Sequence, residues 1–213
     1  MPTKFIIVRH GQSMANVEKI YAAHINTPLS KLGRTQAELV GEYLKDTPID
    51  AIYSSSLQRA IDTAAPTAES HGLEIIGRDE LREIFGGEWE GKKFDDLIKE
   101  YPEEYGVWLN DVGKSRATGG ESMAEVSARM NGEIDRIAAL HPNQTVLIAS
   151  HAAAIRTVCA RALGIPVERL REVDWVRNAS ISTFLYEDGK LMVERLNDTA
   201  HLKGLESSLP ANV

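Results

Sequence analysis

The stretch Phe5-Ile6-Ile7-Val8-Arg9-His10-Gly11 decides how the chain folds. Four apolar residues run without alternation and then stop at an arginine, a histidine and a glycine. An unbroken run of this length suits a strand buried on both faces of a parallel sheet, because a half-exposed strand would alternate. Two more runs of the same kind occur later, Ala51-Ile52-Tyr53 and Val146-Leu147-Ile148-Ala149. Helical patterns lie between them. Ser30 is placed to cap a helix carrying Leu32, Leu39, Val40, Tyr43 and Leu44 on its apolar face. Ser55 or Ser56 is placed to cap a second through Leu57, Ala60, Ile61 and Ala64, which Pro66 is expected to end or kink. Ser122-Met-Ala-Glu125 is a capping box that opens a third, through Val126, Met130, Ile134 and Ile137. Ser180–Leu185 and Lys190–Val193, joined by Glu187-Asp188-Gly189, read as a hairpin.

Strands alternating with helices predict an α/β fold, a three-layer sandwich whose central sheet is mixed but mostly parallel and flanked by helices. Residues 92–121 interrupt the alternation with a short helix (Lys93–Glu100), an aromatic stretch (Tyr101, Tyr105, Trp108) and a basic loop expected to be flexible. They are expected to form a helical insertion, or lid, over one edge. Residues 1–203 read as a single domain and 204–213 as a flexible tail.

Composition limits the function. The chain has 213 residues, 43% hydrophobic and 26% charged, a globular balance. A formal net charge of -7 argues against nucleic acid as a partner, although an acidic shell can still enclose a basic pocket. No apolar run is long enough for a membrane span, and the N-terminus lacks the apolar region of a signal peptide, so a cytoplasmic protein without membrane association is expected. The lone Cys159 rules out an internal disulfide and a multi-cysteine metal site. A homodimer is compatible with the sequence but not required by it.

The chemistry lies just beyond the end of each strand. The first ends in Arg9-His10-Gly11, the second runs through Ser54-Ser55-Ser56 toward Arg59, and the third ends in Ser150-His151. In open parallel sheets ligands bind beyond the carboxyl ends of the strands, so two histidines and two arginines are expected on one rim. Two guanidinium forks suit phosphoryl oxygens, and a neutral imidazole can attack phosphorus. A second imidazole can steady the charge that develops on those oxygens. A proton donor is still needed, and Glu83, Glu88 and Glu90 of the glycine-rich segment 81–91 are candidates that spacing alone does not separate.

From Phe5 to about Leu202 the sequence resembles the histidine phosphatase, or phosphoglycerate-mutase-like, superfamily. The resemblance rests on an ordered series: Arg9-His10-Gly11 with Asn16, Thr27-Pro28-Leu29-Ser30 with Gly33 and Gln36-Ala37, Ser54 to Ala60 with Thr63-Ala64, Glu83 ahead of Gly86 and Trp89-Glu90-Gly91, Gly120-Glu121-Ser122, and Ser150-His151-Ala152. It implies that His10 is the phosphorylated nucleophile and Glu83 the acid and base. It implies that Arg9, Arg59 and His151 hold the phosphoryl group, with Asn16 and the Ala152 N–H as further donors. It also implies that no metal or other cofactor is needed and that the partner is a small phosphorylated metabolite. Mutases of the family usually carry a basic residue and a tyrosine after the proton donor; here Ile84-Phe85-Gly86 comes after Glu83, and Ala15 stands where they tend to have tryptophan. Phosphatase is therefore expected ahead of mutase, with a catalytically inactive phospho-ligand binder as a third reading. Relatives often place Gln-Gly where this chain has Ala22-Ala23, so a substrate contact is expected to pass to Tyr21 or His24. Specificity is expected in residues 84–118 and 21–24. The remaining histidines, 71, 141 and 201, lack ligand spacing and read as surface or structural.

Overall fold

The computed structural model describes residues 2–207. Six strands, β1 (Thr3–Arg9), β2 (Ala51–Ser55), β3 (Ile75–Arg78), β4 (Thr145–Ser150), β5 (Ile181–Glu187) and β6 (Lys190–Asp198), form one sheet in the order β3-β2-β4-β1-β5-β6. The pairs β1–β4, β2–β4 and β2–β3 are parallel, whereas β5 and β6 add an antiparallel hairpin beside β1. This is the mixed α/β sheet expected.

The unbroken apolar runs have a direct cause. Ile6 and Val8 of β1 pack with Ile52 and Leu147 under α2 (Lys31–Leu44) and α3 (Gln58–His71). Phe5 and Ile7 face the other way, into a larger core with α6 (Met123–Leu140) and α7 (Ala152–Ala162). Each strand needs apolar side chains on both sides because helices cover both faces. β3 escapes the sequence pattern because it is a short edge strand with Ile76 exposed, so no buried run marks it.

Several helix ends differ from expectation. Ser30 caps α2 by accepting from the Gly33 N–H at 3.0 Å, and the Ser122–Glu125 capping box opens α6. Tyr43, expected on the apolar face of α2, is exposed, while Gly33, Gln36 and Gly41 are buried. Neither Ser55 nor Ser56 caps α3, whose N-cap is Leu57. Pro66 does not end α3, which runs five residues further to His71. Its ring sits against Gly41 of α2, where a Cβ would come within 2.7 Å of Pro66 Cβ, and this packing holds the turns on either side of the missing hydrogen bond.

Residues 92–121 fold as α4 (Phe94–Glu100), α5 (Pro102–Asn110), a single 3-10 turn at Val112–Lys114 and a hydrogen-bonded turn leading into α6. Leu97, Tyr105, Trp108 and Ala117 join the larger core, and Glu121 N–H donates to Phe85 O at 2.9 Å. Of the tail expected at 204–213, residues 204–207 hold a defined place, with the Gln36 amide donating to Leu205 O at 2.8 Å and to Ser207 Oγ at 3.2 Å. Residues 208–213 lie outside the described residues. Among the described residues no helix is long and apolar enough to cross a membrane.

The turn after β1 packs backbone on backbone with the start of α2. A Cβ on Gly11 would lie 2.5 Å from Gly33 O, and one on Gly33 would overlap Gln12 O. Gly33→Ala is expected to cost about 1–3 kcal/mol through overpacking, read as a lowered urea midpoint. An unchanged midpoint would contradict this close approach.

Candidate active site

His10 lies one residue beyond β1, where the strand pairing still grips it. Its N–H donates to Ser150 O at 3.0 Å, and its carbonyl accepts from Asn178 Nδ2 at 3.0 Å and from Ala179 N–H at 3.2 Å. Its ring Nδ1 is 2.7 Å from Gly11 O. A carbonyl can only accept, so Nδ1 carries the hydrogen and Nε2 keeps its lone pair. Burial, with the charges of Arg59 and Arg9 adding to it, holds the imidazole well below its usual pKa of 6.5. The ring is thus neutral, with a nucleophilic nitrogen to spare.

Arg9 and Arg59 are both 2% exposed. Arg9 Nη1 donates to Val176 O at 2.6 Å, while Arg59 donates through Nη1 to Ile25 O at 2.9 Å and through Nη2 to Ala23 O at 2.7 Å. Burial lowers each to about 10, so both stay charged at neutral pH. Among the described residues neither is in an ion pair; the paired arginines lie elsewhere, at Arg78, Arg82 and Arg129 for example. Two buried guanidiniums hydrogen-bonded to carbonyls, with the Glu83 carboxylate acting on both without an ion pair, leave a positive site that an anion would neutralise. Ala23 presents its carbonyl to Arg59 from a left-handed backbone, φ 43°, a conformation glycine would adopt more easily.

His151 is fully buried, its ring centroid 5.1 Å from that of His10. Its Nε2 is 2.8 Å from Ser55 Oγ, which also accepts from the Leu57 N–H at 3.2 Å. The His151 Nδ1 is buried and has no partner among the described residues. Burial, then the Arg59 charge, also lowers the His151 pKa well below 6.5. Asn16 Oδ1 accepts from Ser13 N–H at 3.0 Å, Ser13 Oγ at 3.1 Å and Asn178 Nδ2 at 3.3 Å, which turns its carbonyl inward and leaves its amide N–H groups to donate.

Geometry separates the three candidate carboxylates. Glu83 lines the same cavity as Arg9, His10, Asn16, Arg59 and Ala152, and Glu88 and Glu90 do not. Glu88 is exposed and accepts from Tyr101 Oη at 3.1 Å; Glu90 accepts from the N–H groups of His24 and Gly86. The Glu83 carboxylate accepts from Ile84 N–H at 3.0 Å, and from Ala153 at 3.2 Å and Ala154 at 3.3 Å in the first turn of α7. Its backbone is clamped: Arg129, paired with Glu121, donates to the carbonyls of Glu80, Arg82 and Glu83.

Tyr21 lines the cavity, whereas His24 does not: His24 Nε2 donates to Glu83 O at 2.8 Å and its ring rests near Phe85. His24 therefore braces the Glu83 segment instead of reaching a substrate. The cavity encloses about 500 Å³, open solvent at its mouth included, within the range of small-molecule sites. Ser13, Phe94 and Trp175 also line it, and Asn178 and Ser55 position the histidines; of these, sequence patterns singled out only Ser55, as a helix cap and strand-end residue. Their common signal is position, since each adjoins a strand end or packs on the rim.

The chain is similar to several known proteins. The model of the histidine phosphatase superfamily (branch 1) matches residues 5–199. Phosphoserine phosphatase 1 of Hydrogenobacter thermophilus is 34% identical over 93% of this chain and 94% of its own length. The adenosylcobalamin/alpha-ribazole phosphatase of Escherichia coli is 32% identical over 77% of this chain and 81% of its own. The solved structure of Bacillus stearothermophilus YhfR superposes with a TM-score of 0.90 at 27% identity, covering 94% of this chain and 99% of that one. With the Arg-His-Gly strand end, the second arginine and the Glu83 segment converging on one cavity, and a family match along nearly the whole length, the chain belongs to the histidine phosphatase superfamily, branch 1.

Proposed function

We propose that this chain hydrolyses small phosphate monoesters through a phosphohistidine on His10, without a metal. The observation that carries the proposal is the pair of buried guanidiniums, without an ion pair among the described residues, flanking a neutral imidazole whose Nε2 has a free lone pair. A site for neutral ligands would not need to bury two such charges together.

In the proposed cycle Arg9, Arg59, the His151 ring, the Asn16 amide and the Ala152 N–H hold the phosphoryl oxygens. His10 Nε2 attacks phosphorus; the N–P bond forms as the ester P–O bond breaks, and the Glu83 carboxyl passes its proton to the leaving oxygen. Water then gives a proton back to Glu83 and attacks phosphorus. The N–P bond breaks, phosphate forms, and the electron pair returns to Nε2. The positive groups are in place before charge develops, so little reorganisation is required. Among the described residues no group of three or more His, Cys, Asp or Glu side chains is arranged to hold a metal ion. The named relatives above are phosphatases, which favours hydrolysis over a mutase reaction.

Phosphate release from p-nitrophenyl phosphate in excess EDTA tests the scheme. Wild type is expected to be active, and His10→Ala to lose at least about 10³-fold of its activity. A fully active His10→Ala would overturn the mechanism. Glu83→Gln is expected to slow alkyl phosphates by about 10²–10⁴-fold and p-nitrophenyl phosphate much less, because nitrophenolate departs without a proton. Equal losses on both substrates would remove Glu83 from the role of acid.

The neutral histidines also set a pH dependence. Their folded-state pKa values lie below the unfolded value near 6.5, so below that pH the unfolded chain binds protons that the folded chain does not. Their contribution to stability is complete above about pH 6.5 and is lost as pH falls. In phosphate-free buffer the melting temperature is expected to drop between about pH 7 and about pH 5.5, with a shallower drop in the His10→Asn/His151→Asn double variant. An equal slope in both proteins would show that the histidines are not held neutral.

A further inference from the structure

The deep end of the cavity and its outer wall differ in chemistry. All its charged lining residues, Arg9, Arg59 and Glu83, belong to the phosphoryl site. Among the described residues no lysine and no third arginine lines it. The rest of the lining is largely apolar and includes a wall of Ile20, Tyr21, Ala22, Ile84, Phe94, Trp108 and Trp175.

This wall is built to hold its shape. Tyr21 meets Trp108 edge-on, their ring centroids 5.5 Å apart, and Trp108 lies 5.8 Å from Trp175. Arg156, buried and not part of the lining, stacks its guanidinium 3.9 Å from the centre of the Trp175 ring. The guanidinium is itself fixed by donating to Leu170 O at 2.8 Å and, twice, to Val173 O at 2.6 and 3.1 Å. A stacked guanidinium and a neighbouring indole leave Trp175 little rotameric freedom, so it offers a preformed flat surface.

A leaving group bearing a carboxylate would meet this wall with no counter-charge left for it and with Glu83 nearby, a costly desolvation. A flat, uncharged group would bury its apolar surface there at little ordering cost. We propose that the site selects monoesters whose leaving group is an uncharged alcohol bearing a planar apolar ring, over phosphorylated amino acids and sugar acids, with Trp175 as the specificity-determining residue. The proposal rests on the phosphatase function above for its substrate class, but its binding preference can be measured without turnover.

The test compares two phosphonates of matched reach, 2-phenylethylphosphonate and 2-amino-4-phosphonobutanoate, by calorimetry on the whole chain. The corresponding esters, benzyl phosphate and phosphoserine, are assayed in parallel; both release primary alcohols. The phenyl compound is expected to bind at least about tenfold more tightly, and kcat/KM to show the same order. Trp175→Leu is expected to reduce that preference at least about fivefold, and Phe94→Ala, on a separate element, supplies the same readout should the first variant fold poorly. Equal or tighter binding of the amino acid phosphonate would overturn the proposal. A preference untouched by either variant would overturn the role of the aromatic wall. The preference without hydrolysis of either ester would overturn the phosphatase function while leaving the selectivity standing.

Discussion

Two guanidinium groups buried beside an imidazole, with carbonyl oxygens but no carboxylates to hold them, constrain most of what surrounds them. A carboxylate partner would neutralise the charge the site depends on, so the loops supply dipoles instead. Val176 O fixes Arg9, and Ala23 O and Ile25 O fix Arg59. Those carbonyls come from loops whose own shape is enforced: Asn197 bridges Arg177 N–H and Trp175 O, and His201 Nε2 donates to Ala179 O. Burial first, and then the same positive field, suppresses protonation of both histidines. One electrostatic arrangement therefore recruits the anion and keeps its nucleophile neutral.

Such a site is destabilising when empty, because desolvated charge is left without a partner. The stability that offsets it lies in the sheet and the two helical layers, where β1 buries alternate side chains in two separate cores. The close contact of Gly11 with Gly33 lets the turn after β1 lie flat against α2. The reactive histidine is thus carried on rigid backbone, as required of a group that must meet phosphorus in line.

The sequence made the centre of this molecule legible and its edges less so. Strands covered on both faces betray themselves as unbroken apolar runs, and their ends marked His10, Arg59 and His151. β3 lies at the sheet edge with Ile76 exposed, so the same logic could not detect it. Pro66 defies the local rule for prolines because its tolerance depends on Gly41 in another helix. Among the glutamates, spacing could not separate Glu83 from Glu88 and Glu90, since the distinction lies in which of them reaches the start of α7. Arg9 is held by the Val176 carbonyl, a group every residue possesses, so that contact left no compositional trace. His24 stood in the right segment but turns toward the Glu83 backbone.

Glu83 takes the N–H groups of Ala153 and Ala154, next along the helix end from Ala152. In the proposed cycle the product anion and this carboxyl group therefore lie side by side on one helix terminus, whose positive end amounts to roughly half an elementary charge. One negative charge is comfortable there and two are crowded. The two acidic groups of the cycle would thus share one dipole rather than each having its own.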